Sequence, residues 1–294
     1  MNSDNLPINI ITHFHNEEYL LPFWIDWHKR LPIDSVTFID YSSTDDSCKI
    51  VREQAPEHWN LIKSKNADFS AFSCDQEVME IEKEIHGWKM ALNTTEFLMM
   101  PPDVNSYLNT LINDAGTLFP EHWNTNLIYC PSVGVIGGEN QNPKNTKEFL
   151  TGFNKGYISN PPIKDSLTDF EKSNTVSRSH RIMHRLPNAK YTIGRHSSEH
   201  VKHGYEITSN NMFVAWIGYY PWNQKTLDRK LQIKTQIPEK DIKRNYGLQH
   251  QWSTDKLNSI RKELESNCED LTNPFNNSFS ESYKNTYEHC LTLF

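Results

Sequence analysis

The sequence lacks an excess of basic residues, a long apolar run and an N-terminal export signal. Its 30 Lys and Arg residues are outnumbered by 37 Asp and Glu residues, so the formal net charge is −7, whereas nucleic-acid-binding domains carry a basic face. The longest apolar run, around residues 212–222, is about half of the roughly 20 residues that span a bilayer. The first residues, MNSDNLPINI, have no basic segment before an apolar one, as a secretory signal would. We therefore expect a cytoplasmic protein that binds no nucleic acid.

Several motifs that would identify common site types are also missing. The five cysteines are scattered and form no C-x-x-C pair, which argues against a disulfide framework and against a cysteine-rich zinc module. No phosphate-binding G-x-x-x-x-G-K-[ST] loop and no G-x-G-x-x-G turn occurs. H-E-x-x-H and G-x-S-x-G are absent as well. The hydrolases and dehydrogenases that carry these motifs are therefore not supported.

Strand-like and helix-like stretches alternate along the first third of the chain. Short β-branched stretches lie at residues 8–14, 35–39 and 59–62, and apolar residues recur at helical spacing at 19–30, 43–56 and 75–88. Such alternation is typical of βαβ units in a mainly parallel sheet. The carboxyl ends of parallel strands meet at one edge, where ligands bind. The sequence therefore predicts that segments 13–17, 40–46 and 93–96 meet at that edge.

Three segments follow one another in an order that resembles a known enzyme family. They are HFHNEEYLLPFWIDWHKRL, FIDYSSTDDS and WKMALNTTEFLMMP. Their order resembles the nucleotide-sugar glycosyltransferases of the GT-A fold, specifically the family 2-type enzymes, over residues 8–98. Two later segments, RIMHRLPNAKYTIGRHSSEH and YYPWNQKTLDRKLQIKTQIPEKD, are similar to the C-terminal half of bacterial members.

The resemblance implies both a fold and an activity. The fold is α/β: a GT-A-like, Rossmann-type, mostly parallel sheet flanked by helices over residues 1–222, with a helical C-terminal extension over residues 223–294 packed on it. The implied activity moves a sugar from a nucleotide-sugar donor to a hydroxyl of a glycan or glycolipid acceptor, as in polysaccharide biosynthesis. A non-catalytic GT-A domain that binds a nucleotide sugar or a glycan stays open as an alternative. So does a nucleotidyltransferase of related fold.

The chain departs from the family at the D-x-D motif, whose carboxylates bind a divalent cation. Asn93 and Thr95 stand at the two carboxylate positions, while Glu96 and the two residues after it keep the pattern. Mn²⁺ or Mg²⁺ needs carboxylate oxygens to bridge it to a diphosphate. Two alternatives stay open, and no metal ligand is assigned: other groups hold Mn²⁺ or Mg²⁺, or basic side chains offset the diphosphate charge without a metal. The basic candidates are Arg178, Arg181, Arg185 and Arg195.

The resemblance and the predicted sheet edge together suggest a set of donor-binding residues. The set comprises His13, Asn16, Glu17, Asp40, Asp75, Asn93, Thr95, Arg195, His196 and His200. Local structure offers an alternative for several of them, because Asp favours turns and Asn and Glu favour helix starts. His196 and His200 would share a face if their segment were helical, as zinc ligands can, but contact with a diphosphate is preferred for them.

Glu96 and Asp103 are the candidate catalytic carboxylates. An inverting transferase needs a carboxylate that removes the proton of the acceptor hydroxyl. Glu96 follows the altered D-x-D motif directly, and Asp103 follows two prolines. The alternative for Glu96 is a buried structural carboxylate bonded to the backbone.

Three further segments have candidate roles. Residues 152–171 are predicted to form a long surface loop that can close over the donor. The aromatic residues Trp216, Tyr219, Tyr220 and Trp222 form either an acceptor platform or part of the core. The basic helix predicted at 225–236 either touches membrane phosphates peripherally, through residues 225–234, or exposes a solvated face.

Overall fold

A computed structural model of the chain describes residues 5–66, 69–118, 125–137, 141–158, 162–168, 171, 180–202, 206–271 and 280–294. Strands and helices alternate strictly in the first third. In chain order they are β1 (Ile8–Phe14), α1 (Leu21–His28), β2 (Ser35–Asp40), α2 (Ser47–Gln54), β3 (Asn60–Lys63), α3 (Ala71–Glu82) and β4 (Trp88–Asn93).

The later part of the chain is less regular. Its elements begin with β5 (Glu96–Met99), α4 (Val104–Leu118), β6 (Leu127–Val135), α5 (Thr146–Thr151), β7 (Lys155–Ile158), β8 (His180–His184) and β9 (Phe213–Trp216). They end with α6 (Gln224–Lys234), α7 (Glu239–Ile242), a 3-10 turn (Leu248–Gln251), α8 (Thr254–Asn267), β10 (Glu269–Asp270) and α9 (Glu281–Leu291). No helix among the described ranges has the length and apolarity that crossing a bilayer requires.

One sheet organises these elements. Its strand order is β10-β7-β6-β8-β4-β1-β2-β3, and β9 joins it beside β6 and carries β5 on its other side. Strands β3, β2, β1 and β4 are all parallel. Strand β8 then runs antiparallel to β4, and β6 runs antiparallel to β8. The prediction of an α/β fold with a largely parallel central sheet flanked by helices is confirmed.

Alternate residues of the parallel strands build two cores, because successive side chains of a strand point to opposite faces. Ile10, Phe38 and Met90 belong to the larger core, which also contains buried side chains of α1. Their neighbours, such as Ile11 and Ile39, belong to a second core that buries one face of α3. The parallel sheet therefore has both faces covered, which explains why its strands read as nearly continuous apolar runs.

Helix α1 fixes the position of β5. The indole N–H groups of Trp24 and Trp27 donate to the carbonyl oxygens of Glu96 and Leu98, each at 2.9 Å. His28 is fully buried and accepts from the backbone N–H of Leu98 through Nε2 (3.3 Å), so its Nδ1–H donates to the carbonyl of Trp24 (2.8 Å). Burial lowers the pKa of His28 to about 3. These contacts hold the start of β5, and with it Glu96, at the end of β4.

Two sequence-based boundaries are wrong. The helix predicted at residues 75–88 is α3, which ends at Glu82, and Trp88 begins β4. Gly87 has a φ of +91°, and a Cβ there would lie 2.4 Å from the carbonyl oxygen of Pro7, so the turn that leads into β4 requires glycine. The predicted loop at residues 152–171 contains β7, and residues 159–161 and 169–170 of it lie outside the described residues.

Residues 223–294 make many contacts with the rest of the chain. Tyr287 on α9 donates to the carbonyl of Leu150 (2.8 Å), and Asp241 on α7 accepts from the first N–H of α3 (2.9 Å). The helix predicted at 225–236 is found as α6, and α8 is a further helix of the C-terminal part. The domain boundary at 222/223 stays a prediction.

Candidate functional site

The carboxyl ends of β1, β2 and β4 meet at one edge, as the alternation of elements predicts. His13 on β1 lies beside Asn93 on β4, and Phe14 lies beside Asp40 on β2. Because β8 is antiparallel to β4, its first residues, His180 and Arg181, reach the same edge. The edge is therefore lined by polar side chains from four strands.

Glu96 and Arg181 form a buried, bidentate ion pair. Arg181 Nε lies 2.8 Å from Oε2 of Glu96 and Nη2 lies 2.5 Å from Oε1, and both side chains are less than 5% exposed. Oε2 of Glu96 also accepts from the backbone N–H of Asn93 at 2.7 Å. Nη1 of Arg181 donates to the carbonyls of Gly194 (2.6 Å) and Arg195 (3.3 Å). Glu96 thus holds the β4–β5 turn through the backbone N–H of Asn93. Arg181 holds the loop that contains Arg195 through two of its carbonyl groups.

Arg195 is the second buried cation of the site. It follows Gly194 in the left-handed region (φ +88° and +62°), where Gly is favoured and other residues are uncommon. Nη1 of Arg195 lies 3.2 Å from Asp75 and 3.1 Å from Nδ1 of His13, and Nη2 donates to Oδ1 of Asn93 at 2.7 Å. Asp75 also accepts from the N–H of Gly194 (2.8 Å). This turn brings four sequence-predicted residues into one network.

The network fixes the state of His13. A guanidinium can only donate, so Nδ1 of His13 accepts from Arg195 and the ring proton lies on Nε2. Burial, with Arg195 and Arg181 nearby, holds the pKa of His13 well below its usual value. Burial also raises the pKa of Asp75, although Arg195 opposes the shift. His13 is therefore a neutral, oriented donor at physiological pH.

The formal charges of this network cancel. Arg181 is paired with Glu96 and Arg195 with Asp75, and all four side chains are at least nine-tenths buried. A carboxylate held by a bidentate guanidinium is poorly placed to take a proton from a substrate. The geometry therefore favours the structural alternative for Glu96, in which it positions Asn93 and Arg181. One atom of the network, Nε of Arg195, is buried without a hydrogen-bond partner.

The arrangement does not suit a hard divalent cation. Oδ1 of Asn93, the oxygen best placed for a metal, already accepts from Arg195. Glu96 is paired with Arg181, and Thr95 is 8% exposed. Such ions need several carboxylate or carbonyl oxygens, whereas here two guanidinium groups occupy the same edge. Across the described ranges, no three His, Cys, Asp or Glu side chains are grouped as metal ligands.

Asn16 and Asp40 organise loops at the edge. Asn16 has a φ of +51°, and its Oδ1 accepts from the backbone N–H of Thr44 (2.7 Å). Oδ1 of Asp40 accepts from the N–H of Ser43, three residues further along the chain (2.9 Å). The loops after β1 and β2 are thus tied together by Asn16, which does not cap α1 because that helix begins at Leu21. The donor-binding role of both residues stays a prediction.

Glu17 is paired with the C-terminal part of the chain. Its carboxylate accepts from Nε and Nη2 of Arg229 on α6, both at 2.6 Å. The Glu17 side chain is 6% exposed and that of Arg229 13% exposed. Sequence reasoning missed this partner, because Arg229 lies 212 residues away in a helix that looks solvated.

An aromatic group lies beside the buried network. The rings of Tyr41 and Phe69 meet edge to face at 5.2 Å between centroids, and His13 lies 6.1 Å from Tyr41 and 5.8 Å from Phe69. The hydroxyl of Tyr41 is held by Glu77 (3.2 Å) and Asn66 (3.3 Å). Flat ligands stack on such faces. Phe69 was not a sequence candidate, since an isolated aromatic in a loop gives no signal.

The remaining candidates lie outside the buried network. Asp103 is exposed and accepts from the N–H of Ser106 (3.4 Å) at the start of α4. His196 is exposed at the rim, with Nδ1 3.3 Å from Nη1 of Arg181. The segment that carries His196 and His200 is a turn and not a helix, so the two do not form a helical pair. Among the four aromatic candidates Tyr220 is 1% and Tyr219 6% exposed, in line with the core alternative.

Comparison with known proteins gives matches in structure alone. No protein-family model matches the chain, and no curated protein sequence matches it. Glucosyl-3-phosphoglycerate synthase from Mycobacterium tuberculosis, in complex with Mn²⁺ and UDP-glucose, is similar at 13% identity and a TM-score of 0.29, over 44% of each chain. The match thus spans less than half of that protein.

Two further solved structures are similar at the same level. Mannosyl-3-phosphoglycerate synthase from Rubrobacter xylanophilus matches at 12% identity and a TM-score of 0.31, over 61% of this chain and 53% of that one. 4-Diphosphocytidyl-2C-methyl-D-erythritol synthase from Anaerococcus prevotii matches at 9% and 0.28, over 61% and 70%. These values assign no activity, so the function has to be argued from the site.

Proposed function

We propose that the chain is a glycosyltransferase of the GT-A type, similar to family 2, and that it transfers a sugar from a nucleotide-sugar donor to a glycan or glycolipid hydroxyl. The observation that carries the proposal is the convergence of the β1, β2 and β4 ends with residues 194–196. Ligands of open α/β sheets bind at such an edge. Residues 1–222 would form this domain, with residues 223–294 packed on it.

The donor would lie across the aromatic group and the buried network. Phe69 is half-buried and offers a ring on which a nucleobase can stack, while the Tyr41 ring against its edge is buried (5% exposed) and supports it. Asp40 lies at the end of β2, where a ribose would reach it. His13 and Arg195 border the neighbouring position, which suits the diphosphate because both donate hydrogen bonds. Asn16 and Glu17 would shape this pocket through the loops that they hold.

The proposed reaction uses no divalent metal. The proposal is supported by the side-chain oxygen of Asn93, which already accepts from Nη2 of Arg195. Donors that are already oriented can stabilise charge on a leaving diphosphate without reorganising during the reaction. Arg181 and Glu96 would act as positioning residues, because they hold the backbone of residues 93–96 and 194–195.

Exposed apolar side chains favour an acceptor with a lipid portion. Four large apolar side chains are exposed among the described residues. Three of them are Phe72 (54%), Ile193 (38%) and Ile242 (39%). Phe72 lies in the first turn of α3, and Asp241 and Gly194 hydrogen-bond to that helix. The three side chains thus flank one rim of the site. We place the peripheral membrane contact at this rim and not at residues 225–234.

The experiment is a thermal-shift panel on the purified protein. UDP, GDP, dTDP and CMP are each tested with Mn²⁺, with Mg²⁺ and with EDTA. A ligand at a hundredfold its Kd stabilises by about 2.7 kcal/mol, which is roughly 5–10 °C for a protein of this size. We expect one nucleotide to raise Tm equally in all three conditions. A shift that needs Mn²⁺ contradicts the metal-free reaction, and no shift with any nucleotide contradicts the donor site.

A non-catalytic GT-A domain is the second candidate, favoured by the pairing of Glu96 and Glu17 with protein cations. Incubation with the nucleotide sugar that matches the identified base separates the two candidates. A transferase releases the nucleoside diphosphate, to water where no acceptor is supplied, and a binding domain returns the donor intact. A nucleotidyltransferase would instead release pyrophosphate when it is given the nucleoside triphosphate and a sugar 1-phosphate.

A further inference from the structure

Lys230 on α6 carries a positive charge that no described carboxylate balances. Its Nζ lies 4.4 Å from the centre of the Tyr219 ring, and Tyr219 is 6% exposed. Cations are attracted to such a face. The adjacent Arg229 gives two of its N–H groups to Glu17, and within the described ranges Lys230 takes part in no ion pair. Whenever Lys230 is protonated, its charge therefore has no carboxylate partner among the described residues.

The groups around Lys230 do not remove this charge. His250, in the 3-10 turn that packs on α6, has its pKa lowered to about 3 by burial and then by Lys230 and Arg229, so it is neutral. Lys234, one turn further along α6, donates to the carbonyl of Gln251 (3.2 Å) and adds no negative charge. Burial, and then Arg229, lower the pKa of Lys230 itself to about 7. The protein thus keeps an ammonium group in surroundings that disfavour its charge.

We propose that Lys230, with the Tyr219 ring beneath it and Arg229 beside it, forms a binding site for a phosphate group of a substrate. Lysine is a compact point charge that binds phosphate, and an anion would supply the partner that the protein does not. The site lies one salt bridge from Glu17, on the loop that follows β1. The inference rests on the proposed function in one respect, which is the molecule that carries the phosphate group. That molecule is either the nucleotide-sugar donor, with its diphosphate, or a phosphorylated acceptor.

The test is calorimetric titration with sulfate and with inorganic pyrophosphate, in the absence of nucleotide. Lys230→Met should weaken binding of both anions about tenfold to a hundredfold, as expected for a lost charge-assisted hydrogen bond. Lys234→Met is the matched control, because it removes a lysine from the same helix and should leave the affinity within about twofold. Circular dichroism and Tm establish that both variants are folded. Equal affinity of Lys230→Met and the unchanged protein would overturn the proposal.

A pH series gives an independent readout, since sulfate does not titrate in this range. A lysine with a pKa near 7 is about nine-tenths protonated at pH 6 and one-tenth at pH 8, so sulfate affinity should fall roughly tenfold between them. Lys230→Arg keeps its charge throughout and should bind with no such pH dependence. A pH dependence that persists in Lys230→Arg would assign the effect to another group and overturn the proposal.

A competition experiment between pyrophosphate and a nucleoside diphosphate distinguishes the donor diphosphate from a phosphorylated acceptor. If the nucleoside diphosphate identified by thermal shift excludes pyrophosphate, the site takes the donor diphosphate; if both bind together, it takes a phosphorylated acceptor. Absence of any anion binding at millimolar concentration overturns the site even where nucleotides bind. Conversely, anion binding that Lys230→Met abolishes supports the site even if the thermal-shift panel fails.

Discussion

Replacing Glu96 by Gln removes one charge from the buried pair with Arg181 and leaves the shape of the side chain almost unchanged. Glu96 accepts from Arg181 at 2.5 and 2.8 Å and from the N–H of Asn93 at 2.7 Å. A Gln amide turns one of its two oxygens into a donor that faces the guanidinium. The positive charge of Arg181, which is 3% exposed, then has no counter-ion.

The expected cost is large. Removing one partner of a buried ion pair destabilises by about 3–5 kcal/mol, which is a substantial part of the 5–15 kcal/mol that holds a typical domain folded. The double variant Glu96→Gln/Arg181→Met removes both charges and should cost clearly less than the sum of the single variants. Residues in direct contact couple by about 0.5–3 kcal/mol, and a buried pair belongs at the upper end.

The assay is urea unfolding followed by tryptophan fluorescence, since the chain contains eight tryptophans. Glu239→Gln is the matched control, because its partner Lys243 lies in an exposed pair, with side chains 80% and 71% exposed. An exposed pair contributes less than about 1 kcal/mol. A Glu96→Gln variant that is as stable as the control but has lost turnover would refute the positioning role and make Glu96 the general base.

Two further predictions concern acid stability and the C-terminal helices. Burial lowers the pKa of His28 to about 3, whereas an unfolded His titrates near 6.5. The folded state therefore binds fewer protons, so each pH unit below 6.5 should lower the free energy of unfolding by about 1.4 kcal/mol. In urea unfolding at pH 7, 6 and 5, His28→Gln should reduce this dependence on pH. An unchanged dependence would contradict the low pKa assigned to His28. Glu17→Gln leaves Arg229 without its carboxylate and should lower the free energy of unfolding by about 2–3 kcal/mol. It should also speed proteolysis within residues 223–294. Lys65→Met, which breaks an exposed ion pair, should have neither effect.

Much of the parallel half of the fold could be predicted from local sequence patterns. The strand predicted at residues 8–14 coincides with β1, and the one at 35–39 falls one residue short of β2. Both are short β-branched runs whose burial on two faces makes them continuously apolar. The end of α3 was not predictable in the same way. The segment between α3 and β4 brings Gly87 against Pro7, a contact across 80 residues that apolar spacing does not encode.

The location of the site could be predicted from the sequence, but the roles of its residues could not. The topology rule brings His13 and Asn93 together without further information. The roles depend on partners that arrive from distant segments, such as Arg181 for Glu96 and Arg229 for Glu17. Carboxylates that look free in the sequence are bound to guanidinium groups in the fold, and no spacing rule predicts that pairing.

The charges of the site explain why Lys230 matters to the metal question. A D-x-D motif with a divalent ion has two negative and two positive charges, so in the proposed metal-free reaction the presence of Asn93 and Thr95 at those positions and the omission of the ion would change no net charge. The pairs of Arg181 and Arg195 with carboxylates are neutral as well. Attraction for a diphosphate must then come from hydrogen-bond donors and from a cation without a partner.

We propose Lys230 as that cation for the case in which its site takes the donor diphosphate, and binding should then be visible as proton uptake. With a pKa near 7 the free protein holds only about a tenth of a proton on Lys230 at pH 8, and a bound phosphate group raises that fraction toward one. Titration of pyrophosphate at pH 8 in buffers of different ionisation enthalpy should therefore report an uptake that Lys230→Arg lacks. The Arg variant is the reference because pyrophosphate exchanges protons of its own equally in both proteins. Equal uptake in the two proteins would mean that Lys230 does not bind the phosphate group, which would contradict the proposal.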